Sequence, residues 1–390
     1  MAVTPRTNNL DDLNSTVNGS EADVAVTLPL FGAFLMAWKV ASPVIIMLGT
    51  IGNTLIIVVL YRSKVMSSNM TSYFLTIAVS DLMNLLVSIT LMWLKQQFNI
   101  QVWTLHEALC KMTTWLNYTS NAMSTWTLVV MVTQRTMSIL FPHRVNILST
   151  PRSVALIIIA LLTLAALSNS HFLYFSTIFE LKVQNITIVK QCNENYEDVA
   201  TSIAFSIFTW IYTLTFSLLP FVVLLIDNVI LIRTVVTSTH VARMRLAAGN
   251  EQQLMSREKK VSSMTLTLIF TSLAFFLLSF PYGAFGIFQM FINNQWLADA
   301  VTYQLLNFIW GIFTLMRCSN HAVNFYLYFL TGSRFRAKSA EILCVCKIKI
   351  STEQCKLYKE SKTTYDEKST AMSQFSEITR WGDPVCKACR

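Results

Sequence analysis

The sequence predicts an all-α membrane protein, a seven-transmembrane-helix bundle with a short amphipathic eighth helix. Of its 390 residues, 53% are hydrophobic and 13% are charged, whereas a soluble domain carries about 25% charged residues. A spanning helix needs about 20 apolar residues, and seven runs reach that length. The predicted spans are residues 41–61, 70–94, 112–134, 153–179, 199–226, 261–293 and 300–331. Two windows contain one charged residue each, Asp81 in the second and Arg317 in the seventh.

The distribution of basic residues indicates how these helices are oriented. The segments that follow spans 1, 3 and 5 contain 11 lysines and arginines, and those that follow spans 2, 4 and 6 contain 4. Because cytoplasmic segments carry the excess of positive charge, we expect a multi-pass protein of the plasma membrane with its N-terminus outside. The net charge of +9 is divided among these segments rather than gathered in one patch, so we expect no nucleic-acid partner.

Composition divides the chain into four parts. We expect an extracellular tail over residues 1–36, a seven-helix domain over 37–332, an amphipathic helix over 333–346 and a disordered polar tail over 347–390. The amphipathic helix alternates apolar and basic residues after the last span, a pattern suited to the inner membrane surface. Lipid is therefore an expected partner of the chain.

The segment after span 4 predicts a β-hairpin on the outer side of the bundle. Two β-prone runs, Phe175–Val183 and Ile186–Gln191, flank Gln184-Asn185, which is a hairpin pattern; an irregular loop is the alternative. Cys110 and Cys192 both fall outside, in an oxidising compartment. A disulfide between them would attach the hairpin to span 3, and two free thiols are the alternative.

Five further positions are candidates for covalent modification. Cys344 and Cys346 follow the amphipathic helix and are candidates for S-palmitoylation, with two unmodified thiols as the alternative. Asn14, Asn18 and Asn185 begin glycosylation sequons and fall on the outer side.

Polar residues recur at helical spacing inside the predicted spans. They are Asp81, Asn84 and Ser88 in span 2, Asn117, Asn121 and Ser124 in span 3, Arg317, Asn320, Asn324 and Tyr328 in span 7, and Asn53 in span 1. A charge at bilayer depth costs roughly 2.5–3.5 kcal/mol on insertion scales, so these residues should face the bundle interior. Asn53 and Asn84 favour hydrogen bonding between helices, whereas Asp81 favours a functional role.

A series of short motifs makes residues 37–343 similar to a known family. The motifs are Gly52-Asn53, Ile77–Asp81, Trp103 with Cys110, Arg135, Pro220, Pro281, Asn324–Tyr328 and Phe335-Arg336. In this order, one after another across the spans, they resemble the rhodopsin-like (class A) G-protein-coupled receptors. Phe325 and the Gly332–Arg336 segment more narrowly resemble invertebrate neuropeptide receptors of the FMRFamide and thyrotropin-releasing-hormone-like groups.

The sequence departs from the family pattern at several positions. Gln134 and Thr136 replace the acid and the tyrosine on either side of Arg135, Ser279 replaces the tryptophan of span 6, and Phe325 replaces a proline. Without an acid at position 134, Arg135 lacks its neighbouring ion pair, so we expect elevated basal signalling.

The resemblance implies a receptor rather than an enzyme. It implies a peptide ligand outside, a heterotrimeric G protein inside, and coupling through Arg135, Pro281 and Tyr328. It implies no cofactor apart from an allosteric sodium ion at Asp81, Ser124, Asn320 and Asn324, with a dry hydrogen-bonded cluster as the alternative. Arrestin would bind seven serines and threonines phosphorylated between Ser361 and Ser376.

The resemblance also implies a ligand pocket under the hairpin. By position it includes Asn117, Tyr118, Asn121, Trp210, Tyr282, Gln289, Trp310, Thr314 and Arg317, although the aromatic residues could equally be ordinary packing. Amine receptors have an Asp where Asn117 stands and opsins a Lys where Cys318 stands, so neither ligand class is expected. We expect Arg317 to receive an acceptor of the ligand, or else to make a structural bond. A small non-peptide ligand, or a transporter or channel, is the alternative function.

Overall fold

The computed structural model describes residues 21–62, 68–141, 150–183, 186–194, 199–247, 252–291, 300–333 and 335–342. Within these ranges lie seven long helices and one two-stranded sheet. The helices are α1 (Glu21–Arg62), α2 (Ser68–Met83, Asn84–Ile89 and Thr90–Phe98 in succession), α3 (Glu107–Leu140), α4 (Pro151–Ser168), α5 (Val199–Thr213, Leu214–Leu218 and Leu219–Ala247 in succession), α6 (Gln252–Met290) and α7 (Ala300–Thr331). The predicted all-α bundle is confirmed.

The outer surface of the bundle is suited to lipid. Five stretches of described helix are long and apolar enough to cross a membrane: Met36–Arg62, Met70–Phe98, Pro151–Phe175, Ser206–Thr237 and Thr265–Gln289. The other two long helices, α3 with 34 residues and α7 with 32, contain the polar stripes. On α4, Leu156, Leu164 and Leu167 are 61–67% exposed, which is expected where side chains face lipid tails rather than water.

Several helices differ in length from the predicted spans: α2, α3 and α6 are longer, and α4 ends at Ser168, well before residue 179. Helix α1 begins at Glu21, so the later half of the expected tail is helical; this half is rich in alanine, leucine, valine and phenylalanine. Helix α5 continues past residue 226 to Ala247, because no glycine or proline follows Pro220 in this helix. The extension places Asp227 inside a membrane-length helix, where the predicted windows left it out.

The helices pack in a ring around α3. Helix α1 packs against α2 and α7, and α6 packs against α5 and α7. Helix α3 contacts α2, α4, α5 and α6. Polar residues on α2, α3 and α7 are thereby brought together in the interior.

Helices α2 and α5 each contain one wider π turn, at Asn84–Ile89 and Leu214–Leu218. A π turn inserts an extra residue into the helix, so the side chains on its two sides face differently than an uninterrupted helix would predict. In α2 this turn begins at Asn84, three residues after Asp81, and in α5 it lies between Tyr212 and Pro220.

Local signals set the beginnings of α3 and α4. The His106 side chain accepts a hydrogen bond from the Ala108 backbone N–H. Thr150 caps α4 in the same way, accepting from the Ser153 N–H over 3.1 Å, and Pro151 occupies the first turn. Such caps satisfy backbone donors that have no partner within the helix.

The predicted hairpin and disulfide are both present. Strand β1 (Ser176–Val183) pairs antiparallel with β2 (Ile186–Glu194). Cys110 on α3 and Cys192 on β2 form a disulfide with a Cα–Cα distance of 5.6 Å, which holds β2 against the bundle. We call the end of the bundle that carries this sheet the hairpin end, and the other the opposite end.

Residues 335–342, which belong to a separate compact unit, are helical. In this segment Lys338 pairs with Glu341, and Ser339 Oγ donates to the Phe335 carbonyl. An eighth helix was expected here from its amphipathic sequence.

Candidate functional site

Asp81 on α2 is fully buried at the centre of the bundle. Ser124 Oγ on α3 donates to Asp81 Oδ1 over 2.7 Å, and Asn324 Nδ2 on α7 donates to Asp81 Oδ2 over 2.6 Å. His321 Nδ1, also on α7, lies 2.7 Å from Asp81 Oδ1. Both carboxylate oxygens accept from protein donors, which offsets the cost of burying the charge.

The imidazole of His321 connects Asp81 to a second acceptor. It is 4% exposed, and its Nε2 lies 3.1 Å from Asn121 Oδ1. The Asn121 amide is oriented by its Nδ2, which donates to the Asn117 carbonyl over 2.8 Å. Both ring nitrogens therefore face oxygens that accept, and both are satisfied when the ring carries a hydrogen on each nitrogen.

Two further asparagines extend this network to other helices. Asn53 Nδ2 on α1 donates to the His321 carbonyl over 2.8 Å. Asn84 Nδ2 on α2 donates to Ser120 Oγ over 2.9 Å, and Asn84 Oδ1 accepts from Asn121 Nδ2 over 2.6 Å. Four helices are thus joined through buried hydrogen bonds, as expected for Asn53 and Asn84. We call Asp81, His321, Asn121, Ser124 and Asn324 the polar centre.

A cavity of about 360 Å³ lies at the hairpin end, above the polar centre. Strand β2 covers it through Gln191, Cys192, Asn193 and Glu194, and its walls come from α2, α3, α6 and α7. This volume is within the range of small-ligand pockets, about 300–1,000 Å³. Its charged lining residues are Lys95, Glu194 and Arg317.

Arg317 and Tyr282 lie between this cavity and a smaller one. The Arg317 guanidinium carbon stacks over the Tyr282 ring at 4.4 Å from its centroid, a cation–π contact. Both residues line the large cavity and also a second cavity of about 60 Å³, whose wall includes Ser279, Asn320 and His321. Among the described residues, no carboxylate forms an ion pair with Arg317.

At the opposite end, hydrogen bonds between side chains tie the helices together. Arg135 Nε on α3 donates to Thr265 Oγ1 on α6 over 3.0 Å, and Gln134 Nε2 donates to the Tyr73 hydroxyl on α2 over 2.8 Å. On α5, Asp227 accepts from Thr133 Oγ1 over 2.6 Å. Further bonds link Ser272 to Asn228 over 2.8 Å and Thr331 to Thr267 over 2.9 Å.

Residues 52–328, more than half of the chain, match the family model described as 7 transmembrane receptor (rhodopsin family). The chain belongs to the rhodopsin family of seven-transmembrane receptors. It is therefore a multi-pass membrane receptor, and its family is one of receptors rather than enzymes. The resemblance drawn from the motifs is confirmed at this level.

Three curated receptors are similar to this rhodopsin-family chain. A galanin-like G-protein coupled receptor of Caenorhabditis elegans is 30% identical over 125 residues, 32% of this chain and 28% of the relative. Lysophosphatidic acid receptor 6 of Gallus gallus is 25% identical over 290 residues, 74% and 87% of the two chains. A QRFP-like peptide receptor of Branchiostoma floridae is 27% identical over 115 residues, 30% of each. The chain thus spans less than a third of the first and the third relatives.

Most of the expected ligand residues of this receptor lie together. The residues that line the large cavity are Asn117, Tyr118, Tyr282, Trp310, Thr314 and Arg317, and Asn121 lines the small one. Trp210 and Gln289 line neither cavity. Trp210 is 40% exposed and its ring meets Phe291 edge-on, whereas Tyr212, two residues later, faces the small cavity.

The expected activation residues lie at different depths of the bundle, with Pro281 next to Tyr282 of the large cavity and Arg135 at the opposite end. Helix α6 continues through Pro281. Tyr328 on α7 is 1% exposed and packs edge-on against Phe74 of α2, with ring centroids 4.6 Å apart. The modification candidates Asn14, Asn18, Asn185, Cys344 and Cys346 lie outside the described residues.

Sequence reasoning missed four polar residues of the receptor. His321 lies one residue after Asn320, off the stripe that was followed along span 7. Lys95 was assigned to a loop, but the structure places it in α2, with its Nζ 5.7 Å from the Trp103 ring centroid. Asp227 was outside the predicted window, and Tyr212 was passed over for Trp210. Nothing in the sequence indicated the partner of His321.

Proposed function

We propose that this receptor binds a peptide at the hairpin end and transmits the binding to a heterotrimeric G protein at the opposite end. In this proposal the hairpin end and the N-terminus face outside the cell. The observation that carries it is the cavity under β2 with an arginine in its floor. A ligand that favours one packing of the helices over another shifts the receptor between them.

Several features of the cavity support a peptide ligand. Strand β2 contributes four consecutive residues, Gln191–Glu194, to its upper wall, and these present polar groups toward a polypeptide. Below them the Arg317 guanidinium offers donors to a carbonyl or a carboxylate. Two of the relatives are named as a galanin-like and a QRFP-like peptide receptor. The narrower FMRFamide or thyrotropin-releasing-hormone-like class rests on the motif around Phe325.

A lipid that bears a phosphate is the second candidate ligand. Lys95 and Arg317 give the cavity two positive side chains against the single carboxylate of Glu194, and such groups bind phosphate. The relative that aligns with 74% of this chain is named a lysophosphatidic acid receptor. We rank this candidate second because the cavity wall built by β2 is polar.

A ligand screen separates these candidates. Cells that express the receptor would be exposed to a neuropeptide library, with each peptide as its C-terminal acid and amide, and to a panel of lysophospholipids with their dephosphorylated analogues. Calcium and cyclic-nucleotide responses would be recorded. A response to peptides supports the first candidate, and a response to phosphate-bearing lipids alone supports the second.

The role of Arg317 is tested with the agonist that the screen finds. Hydrogen bonds to charged groups contribute about 1.5–3 kcal/mol, so Arg317→Gln should lower agonist potency by roughly 10-fold to 100-fold. Arg62→Gln, at the exposed end of α1, is the matched control and should keep the potency of the wild type. Unchanged potency of Arg317→Gln at normal surface expression would exclude its role in ligand binding.

Coupling at the opposite end is assigned to Arg135. Arg135→Ala should abolish G-protein activation while the receptor still binds agonist, because this residue lies far from the cavity. Loss of agonist binding in this variant at normal expression would contradict the assignment. Arrestin binding, glycosylation at Asn14, Asn18 and Asn185, and palmitoylation at Cys344 and Cys346 remain part of the proposal.

A further inference from the structure

The geometry around Asp81 points to a partner for this carboxylate that belongs to the chain itself. We propose that the His321 imidazole permanently occupies the position beside Asp81 where the family resemblance implies a sodium ion. The polar centre then needs no metal ion to balance its carboxylate. This inference does not depend on which ligand the receptor binds.

A fully buried carboxylate inside a bilayer needs compensation. Breaking such a group away from its partner is costly, because the charge remains in a medium of low dielectric constant. Of the three donors to Asp81, the Ser124 hydroxyl and the Asn324 amide are neutral. The third is the His321 ring, whose Nδ1 lies only 2.7 Å from Oδ1.

The residues around Asp81 do not fit a sodium ion in this arrangement. Hard cations take oxygen ligands, and the expected set was Asp81, Ser124, Asn320 and Asn324. Ser124 and Asn324 aim a hydroxyl and an amide nitrogen at the carboxylate, so their hydrogens already occupy its oxygens. Asn320 lines the small cavity and makes no bond to Asp81. The remaining group at the carboxylate is a ring nitrogen of His321.

Two further hydrogen bonds hold the His321 residue in this position. Its Nε2 faces Asn121 Oδ1 at 3.1 Å, and its backbone carbonyl accepts from Asn53 over 2.8 Å. The side chain is 4% exposed, and moving the ring away from Asp81 would break its bonds to both Asp81 and Asn121. The ring thus connects α7 to α2 through Asp81 and to α3 through Asn121, and the backbone carbonyl of His321 connects it to α1.

The test measures whether sodium stabilises the purified full-length receptor in detergent. Sodium chloride would be replaced stepwise by choline chloride at constant ionic strength, and the melting midpoint would be followed by tryptophan fluorescence. Anything that binds only the folded state raises the midpoint. The wild type should melt at the same temperature in both salts. His321→Ser should melt lower in choline and regain several degrees in sodium, because the ion can then enter beside Asp81.

Two variants control this measurement. His171→Ser changes a histidine that stacks on Phe208 away from Asp81 and should respond to the salts as the wild type does. In the double variant His321→Ser/Asp81→Asn the carboxylate is gone, so the sodium response should disappear. If His321→Ser alone does not fold, a double variant that folds supports the proposal, because the added Asp81→Asn change removes the carboxylate that His321→Ser left without its partner.

Three results would overturn the proposal. One is a sodium-specific rise of the wild-type midpoint that Asp81→Asn removes, which would reveal a genuine ion site. Another is a His321→Ser receptor that melts like the wild type and ignores sodium. The third is failure of both the single and the double variant to fold, since the defect would then not arise from an unpaired Asp81.

Discussion

Two buried aspartates, Asp81 on α2 and Asp227 on α5, lie in different surroundings. Asp81 is fully buried and meets three donors from α3 and α7, one of them His321. Asp227 is 5% exposed, and within the part of the chain that the structure describes it accepts one side-chain hydrogen bond, from Thr133. The same residue type therefore has a filled hydrogen-bonding shell in the polar centre and a sparse one at the opposite end.

The contrast shows where the helices are held firmly to each other and where they can separate more easily. In the polar centre, moving one helix would separate a charged carboxylate from several donors at once. At the opposite end, α6 is joined to its neighbours by hydrogen bonds such as Arg135–Thr265, Asn228–Ser272 and Thr267–Thr331. Hydrogen bonds contribute about 1 kcal/mol between neutral groups and about 1.5–3 kcal/mol when one group is charged, as the Arg135 guanidinium is. We therefore expect α6 to part from α3 and α5 there more readily than the polar centre comes apart.

The largest effect is expected from neutralising each aspartate in turn. Asp81→Asn leaves donors of α7 facing an amide nitrogen. Each buried donor left without an acceptor costs about 1–3 kcal/mol, so the free energy of unfolding should fall by about 3–5 kcal/mol. Asp227→Asn keeps an oxygen for Thr133 and should cost less than about 1 kcal/mol. Thermal unfolding of both purified variants checks this comparison, and equal losses would refute it.

A smaller effect is expected from removing the contact between α3 and α6. Thr265→Val deletes the hydroxyl that accepts from Arg135, and hydrogen bonds to charged groups contribute about 1.5–3 kcal/mol. The packing seen here should become less populated, and agonist-free G-protein activation should rise by roughly 10-fold. Basal nucleotide exchange per receptor at the cell surface is the measurement.

Thr271→Val is the matched control for this prediction. Thr271 lies on the same helix and is equally buried, but its hydroxyl donates to the Thr267 carbonyl of its own helix. Its basal activity should remain that of the wild type. A similar rise in both variants would show that any disturbance of α6, rather than the loss of the Arg135 contact, activates the receptor.

The smallest effect is expected from restoring an acid beside Arg135. Gln134→Glu adds a carboxylate next to the guanidinium while its oxygens still face the Tyr73 hydroxyl. Partly exposed ion pairs contribute about 0.2–1 kcal/mol, so basal signalling should fall by at most about 5-fold. Gln134→Met, which loses the Tyr73 bond without adding charge, should not reduce it. Equal basal activity in the wild type and Gln134→Glu would contradict the expectation that this receptor has elevated basal signalling.

Much of the architecture could be read from local patterns. About 20 consecutive apolar residues predict each membrane span, and two β-prone runs around Gln184-Asn185 predict the hairpin. The two cysteines on the predicted outer side, Cys110 and Cys192, indicated the disulfide. These features depend on residues that are close in sequence or share a compartment, so no knowledge of helix rotation was needed.

The candidate site was harder to predict because it depends on how each helix is rotated. Periodicity placed Asn117, Tyr118 and Arg317 near the cavity, where the structure has them. It did not separate Trp210 from Tyr212, because both lie in one largely apolar helical segment, Val199–Thr213. Lys95 and Asp227 were missed for another reason: each lies one residue beyond the end of its predicted span and was therefore left out of the helix.

The sequence by itself determined that this chain crosses the membrane as a rhodopsin-family bundle with a buried carboxylate at position 81. Hydropathy and motif order decide those properties, because both are carried by each segment alone. Only the tertiary structure decided that His321 is the partner of Asp81 and that Arg317 stacks on Tyr282. Those pairings join residues up to 240 positions apart, and their choice depends on helix packing that no single segment encodes.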